Sequence, residues 1–448
     1  MQDRRNTIPE GMFQLWGTVS EVGAGRIVIK GLYHHAGIGN EIAIRKDEEI
    51  VRGEIMSVST DSAQALLFSN GSTVRIGDVV HVEQSATAEI GDHWLGQIVN
   101  YRGEVNTPTV VGHRHSTRIR ALTAPPLPAH ARRPLGPRID TGLMATDTLL
   151  PLCKGQRVGL FAGSGVGKST LLGALAQGVN ADRVVVALIG ERSREVNAFA
   201  NEVLTPEMAE KTVIVAATAS EPAGAKKRAA LCAMAAAEHF RDEGHDVLLI
   251  VDSITRFAEA HRETALMAGE APALNAFPPS TVRVISELVE RSGTGVAGTG
   301  DITAIYSVLV AGSDMEEPVA DMIRGILDGH IILSRNIAER GRYPAIDVLR
   351  SVSRALPNAA TADENEVLKE FRRLLALHGE VEPMVRANLF EFGHDAHADR
   401  AIKLFPALDA FIGTYNTAHI SDAFDAMRLA LSGGAASDIP ANVAQKPQ

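Results

Sequence analysis

The stretch Leu160-Phe161-Ala162-Gly163-Ser164-Gly165-Val166-Gly167-Lys168-Ser169-Thr170 joins an apolar run with strand character (157–161) to a helix-forming run (171–177). Its glycines let backbone N–H groups turn toward an anion, and the helix that follows adds the partly positive charge of its N-terminus. With the ending Gly167-Lys168-Ser169, residues 162–170 predict a phosphate-binding loop and hence a nucleoside triphosphate site. Lys168 is placed to reach the β and γ phosphates, Ser169 to offer its hydroxyl to Mg²⁺, and Thr170 to begin the helix. Ala162 stands where such loops usually carry their first glycine, which predicts a position that needs no positive φ.

Two further segments supply what hydrolysis requires. Leu248-Leu249-Ile250-Val251 ends in Asp252, a carboxylate placed to hold Mg²⁺ through water. Gly190-Glu191-Arg192 follows the apolar run 184–189. A carboxylate at the C-terminal edge of a parallel strand faces the crevice where such sheets bind ligands, so Glu191 is the candidate general base. Arg192 is placed to bind phosphate or to hold Glu191, and spacing alone equally allows a surface ion pair of Glu191 with Arg192 or Arg194. His34-His35 and His113-Arg114-His115 lack a third ligand at metal spacing and read as exposed loop residues. Lys226-Lys227-Arg228 reads as the solvated first turn of an alanine-rich helix.

At 448 residues the chain exceeds one ordinary core, so two or three domains are expected. Its 44 Lys and Arg against 54 Asp and Glu, net −10, argue against nucleic-acid binding through bulk charge. Cys153 and Cys232 stand far apart, which supports neither a disulfide framework nor a zinc site and fits a reduced cytoplasm. Met1-Gln2-Asp3-Arg4-Arg5-Asn6 leads into no signal-peptide run, and no stretch approaches the ~20 apolar residues of a membrane span, so a soluble protein is expected.

Short β-rich runs (15–19, 26–30, 41–44, 53–57, 65–68, 79–82) separated by Gly, Asn and Asp turns predict a small barrel over residues 1–85. Residues 86–138 read as connecting chain, with linker chemistry in the proline-rich 121–137. Apolar strands at 157–161, 184–189, 212–216, 247–251, 302–310 and 329–333 alternate with helical patterns such as 229–241 and 280–292, predicting a mostly parallel sheet covered by helices over 139–355. Helical spacing at 367–377 and 399–411 predicts an α-helical domain over 356–432, followed by a loose tail at 433–448.

Several blocks together resemble the flagellar and type III protein-export ATPases, relatives of the rotary ATP synthase catalytic subunit. They are GLFAGSGVGKST at 159–170, LIGERSREVNAF at 188–199, LLIVDSITRFA at 248–258, and a run from 303 to 354. That run contains Met315-Glu316-Glu317-Pro318, Tyr343-Pro344-Ala345-Ile346-Asp347 and Ser351-Val352-Ser353-Arg354. The resemblance implies an α/β fold with a RecA-like phosphate-loop core, an N-terminal β-barrel and a C-terminal α-helical domain, and Mg²⁺-dependent ATP hydrolysis. It makes Glu191 the carboxylate that polarises water, Arg192 a γ-phosphate contact, Tyr343 a platform for adenine, and Arg354 a finger inserted into a neighbouring subunit's site. It further implies a homo-hexamer whose segment 312–321 faces the ring axis. Stator, central-stalk and gate proteins, export substrates and their chaperones are the implied partners, with a cytoplasmic location at the inner-membrane export apparatus and peripheral contact with the membrane surface.

A flagellar system is the main expectation, with a virulence-type injectisome ATPase as the alternative. The chain's start lacks the longer helical extension usual in flagellar members, which leaves stator and membrane contacts open. Ser193 in place of a glycine, the segment 223–226 and the turn at 98–103 also depart from the family pattern and point to a divergent or secondary export system. An RNA-translocating ring ATPase would need a basic, aromatic barrel. Aromatics are only 4% of the chain, and Trp16, Tyr33 and Phe68 stand among acidic residues, so no nucleic-acid partner is expected. A ring subunit without turnover would lack the carboxylate at Glu191.

Overall fold

Alternating apolar and polar residues near the start of the chain are those of a sheet with one buried face. The computed structural model describes residues 16–434 apart from 24, 33–35, 47–48, 70–72, 84–85, 106–116, 274–276, 311–316 and 416–418. In it, β1 (Trp16–Val22), β2 (Arg26–Lys30), β3 (Glu41–Arg45), β4 (Ile50–Val58), β5 (Ser62–Leu67) and β6 (Val79–Glu83) close into a barrel in the order β1-β2-β5-β4-β3-β6. Ile27, Ile29, Ile42, Ile44 and Ile55 fill its interior and are fully buried. Closure leaves no sheet edge to pair with another chain.

Residues 86–138 do more than connect. β7 (Thr87–Ile90) and β9 (Arg118–Ala121) form an antiparallel ribbon, while β8 (Ile98–Asn100) joins the central sheet as its edge strand. The proline-rich stretch expected to have linker chemistry is fastened to the central domain. Arg132 donates to the carbonyls of Glu290, Ser292 (2.8 Å) and Thr294 (3.1 Å), and Arg133 reaches Asp301 at 2.7 Å. Carbonyls at a helix C-terminus lack partners within the helix, and a guanidinium with five donors satisfies several at once.

The central sheet runs β16-β15-β10-β14-β13-β11-β12-β8. Its members beyond β8 are β10 (Arg157–Ala162), β11 (Arg183–Glu191), β12 (Thr212–Thr218), β13 (Val247–Asp252), β14 (Ile302–Leu309), β15 (Gly329–Leu333) and the antiparallel β16 (Val352–Ser353). The inner strands are apolar on both sides, as burial beneath two helical layers demands. The helices are α1 (Met144–Asp147), α2 (Lys168–Gly178), α3 (Ser193–Val203), α4 (Pro206–Ala209), α5 (Ala223–Asp242), α6 (Ile254–Met267), α7 (Ser280–Arg291), α8 (Pro318–Ile326), α9 (Arg335–Glu339), α10 (Ala362–Arg386), α11 (Ala396–Gly413) and α12 (Ile420–Ser432). One face of the sheet carries α2 and α3, whose core continues into α10–α12 through Phe371, Leu408 and Phe424; α5–α8 cover the other. Cys153 and Cys232 are buried and free. Among the described residues no helix is long and apolar enough to cross a membrane.

Lys226-Lys227-Arg228 is not a solvated turn. Arg228 is only 8% exposed and pairs with the buried Glu41 of β3, while donating to the carbonyls of Tyr101 (2.9 Å) and Thr87 (3.3 Å). Lys227 lies 3.6 Å from Glu54. The start of α5 is therefore the surface on which the barrel docks. Arg228→Ala would leave the Glu41 charge buried without a partner and is expected to cost about 3–5 kcal/mol, measured by urea denaturation. An unchanged unfolding midpoint would contradict that role.

Candidate active site

β10 ends at Ala162 and α2 begins at Lys168, so the loop between them hangs at the C-terminal edge of the sheet. Gly165 and Gly167 have φ of 77° and 87°, which a side chain would strain; Ala162 is not among the positive-φ residues, in agreement with its lacking a glycine there. A Cβ on Gly167 would also lie 3.2 Å from the Tyr343 ring. Gly163, Ser164, Gly165, Gly167, Lys168, Ser169 and Thr170 line a cleft of about 990 Å³, with Ala162 at its base and Glu191, Arg192 and Tyr343 around it. Val166 is 1% exposed and does not line the cleft, so only its backbone is available to a ligand.

The charged groups meet at the centre. Lys168 is ion-paired with Asp252, and its Nζ stands 3.6 Å from Oε1 of Glu191. Asp252, 3% exposed at the end of β13, also accepts a hydrogen bond of 2.5 Å from Ser307 Oγ on β14. Glu191 closes β11, where the pairing register with β12 shifts around Gly190, and its carbonyl accepts from Ala219 N at 2.9 Å. Burial is the main cause that pushes the Glu191 carboxyl up to about 7; the charge of Lys168 opposes this and that of Asp252 adds to it. The pairing of Glu191 with Arg192 or Arg194 that spacing allowed is not seen; Lys168 is its cationic neighbour.

Arg192 stands at the rim of the cleft, 81% exposed and 3.6 Å from Glu195. Tyr343 is half-exposed at the mouth. Arg354 follows β16 at the far edge of the sheet, its backbone N–H bonded to Asp328 O at 3.0 Å, and it does not line this cleft. The histidine pairs at 34–35 and 113–115 and residues 312–316 of the segment 312–321 lie outside the described residues.

Three contributors escaped the sequence reading. Ser307 had one visible signal, a small hydroxyl residue near the end of the largely apolar β14. Arg335 donates to Ser164 O at 3.3 Å and braces the phosphate loop. Arg256 lies against Gly190, where a Cβ would meet its Cγ at 3.2 Å, and pairs with Glu259 at 2.8 Å. The hard oxygen donors of Ser169 and Asp252, with open space above Gly165, fit a magnesium nucleotide. Among the described residues no cluster of three or more His, Cys, Asp and Glu offers a closed metal site of its own.

The model of the ATP synthase alpha/beta family, nucleotide-binding domain, matches residues 142–353, and that of the T3SS EscN ATPase C-terminal domain matches 360–428. Over 410 residues the chain is 39% identical to the flagellum-specific ATP synthase of Caulobacter vibrioides, covering 89% of this chain and 91% of that protein. It is 37% identical to the SPI-2 type 3 secretion system ATPase of Salmonella typhimurium, covering 90% and 91%. The assembled ATPase EscN of enteropathogenic E. coli superimposes with a TM-score of 0.86 at 34% identity, covering 93% of this chain and all of that one. EscN has also been solved in complex with its central stalk EscO, with a TM-score of 0.84. The chain belongs to the ATPase family of flagellar and type III protein export, and it is an ATP-hydrolysing enzyme built on the ATP synthase nucleotide-binding domain.

Proposed function

We propose that the chain hydrolyses Mg²⁺-ATP in a site completed by a second copy of itself, and that this turnover energises export of flagellar proteins. The observation that carries the reading is the separation of its charged groups. Lys168 and Glu191 line one cleft, with Asp252 paired to Lys168 beneath it, whereas Arg354 does not line it.

In this reading the backbone N–H groups of 163–168 and the Lys168 ammonium hold the β and γ phosphates. Ser169 and Asp252 would hold Mg²⁺, which when bound neutralises charge on the phosphate oxygens. Glu191 orients a water in line with the γ-phosphate and takes its proton. Arg192 swings from the rim to the γ-phosphate, Tyr343 stacks on adenine, and Arg354 enters the cleft of the adjacent copy. One chain that carries both a base and an outward finger closes naturally into a homo-hexamer.

As a base Glu191 must be ionised. With its carboxyl at about 7 in the free chain, kcat/KM is expected to rise with pH through about 7 and level off above it. A profile flat from pH 6 to 8 would count against the role. Ser307→Ala removes a donor from Asp252 and is expected to raise the Mg²⁺ needed for half-maximal activity by about tenfold, with Ser307→Thr close to wild type. An unchanged Mg²⁺ requirement would show that Ser307 serves packing alone.

The flagellar assignment is supported by the flagellum-specific ATP synthases among the relatives, and a central-stalk partner by the EscN–EscO complex. Stator and gate proteins, chaperones and export substrates complete the proposed partners, with the ring in the cytoplasm at the inner-membrane export apparatus. Cells lacking the chain should lose flagellar filaments, and a Lys168→Ala copy should fail to restore them. Normal filaments in such cells would overturn the assignment.

A further inference from the structure

Arg342 and Tyr343 are neighbours in the chain that serve opposite sides of one loop. The Tyr343 ring faces the cleft beside Gly167. The Arg342 side chain is 10% exposed, donates through Nη1 to Pro344 O and through Nη2 to Ile346 O, each at 2.8 Å, and places Nε 2.9 Å from Asp409 Oδ1 on α11. One turn further along α11, a Cβ on Gly413 would come within 3.2 Å of Tyr343 O and 3.4 Å of Arg342 Cγ. A more exposed tie joins Arg340 to Glu382 of α10 at 3.1 Å. The backbone that follows the ring is thus held by the guanidinium of the residue that precedes it, and that guanidinium is paired with α11.

We propose that the Arg342–Asp409 pair positions Tyr343 for the nucleotide base, so that nucleotide affinity depends on how α11 is seated against the phosphate-loop domain. The inference rests on the reading of Tyr343 as the adenine platform. Arg342 and Asp409 are positioning residues and touch no substrate. A carboxylate removed from Asp409 frees a buried guanidinium from its anchor, and the 342–346 loop then holds the ring over a wider range of positions. Ordering that loop becomes part of the cost of binding ATP, and it falls on the bound state as a whole. The loss therefore appears in KM more than in kcat. Any event that lifts α11 would release nucleotide by the same route.

The test uses the full chain, a fluorescent ribose-labelled ATP analogue as probe, and steady-state hydrolysis. Asp409→Ala is expected to weaken analogue binding and raise KM on the order of tenfold, with Asp409→Glu restoring most of the loss. Asp409→Asn gives the same reading should the alanine variant fold poorly. In a Tyr343→Ala background, Asp409→Ala should add little, because the ring it positions is gone. Unchanged affinity in Asp409→Ala alongside weakened binding in Tyr343→Ala would overturn the proposal and leave the stacking role standing. Full additivity of the two losses would overturn it as well. Unchanged affinity in Tyr343→Ala would overturn the stacking reading itself, and this proposal with it.

Discussion

Glu191→Gln is expected to lower ATP hydrolysis by about 10²–10⁴-fold while the chain still binds nucleotide. Glutamine keeps the size of the side chain and its place at the end of β11, but it cannot take a proton. The groups that hold phosphate, Lys168 and the N–H groups of the glycine loop, remain where they are. Burial in the cleft already holds the carboxyl at about 7, so the neutral amide resembles a state the site tolerates at lower pH. Phosphate release read beside binding of a fluorescent ATP analogue separates the two effects. Equal loss of binding and turnover would mean that Glu191 serves the shape of the cleft.

A comparable defect is expected from a residue that the cleft of its own chain does not contain. Arg354→Ala should reduce turnover by about 10³–10⁵-fold, the range for a positive charge inserted into a phosphoryl-transfer site from outside. It should leave nucleotide binding and assembly, followed by light scattering, close to wild type. Arg354 is exposed directly after β16, so its loss opens no cavity and strands no buried partner. A variant that assembles, binds and hydrolyses normally would remove the finger from the mechanism.

The parts of this architecture that follow a short-range rule were legible in the residues. The glycine loop between an apolar strand and a helix marked β10 and α2. The alternation in 15–82 marked all six barrel strands to within a few residues at each end, since one face of each is buried. What escaped depends on contacts distant in sequence. Nothing near Ile98 announces that β8 will pair with β12, more than a hundred residues away. A basic triplet at 226–228 looks like solvated charge until Glu41 of β3, far earlier in the chain, is brought against it. The proline-rich stretch reads as a linker because the carbonyls that hold Arg132 come from the end of α7.

The site divided along the same line. Glu191 and Asp252 sit at strand ends and Lys168 at the start of the helix after β10, all at the C-terminal edge of a parallel sheet, so their meeting followed from the order of strands. Ser307 acts by touching Asp252 and Arg335 by touching the Ser164 carbonyl, each from another element, and spacing does not reveal such contacts. The exposed position of Arg192 could not be read either, because its pairing with Glu195 depends on where α3 starts.

The central claim is that each active site is assembled from two copies, and mixing two inactive variants tests it most directly. A Glu191→Gln chain keeps Arg354, and an Arg354→Ala chain keeps Glu191. In rings formed at random from equal amounts of both, about a quarter of the sites hold a complete set of groups. Mixing followed by reassembly is expected to restore ATP hydrolysis that neither variant shows alone, and dilution below the assembly threshold should remove it again. A mixture that assembles yet stays as inactive as its components would contradict a site shared between subunits.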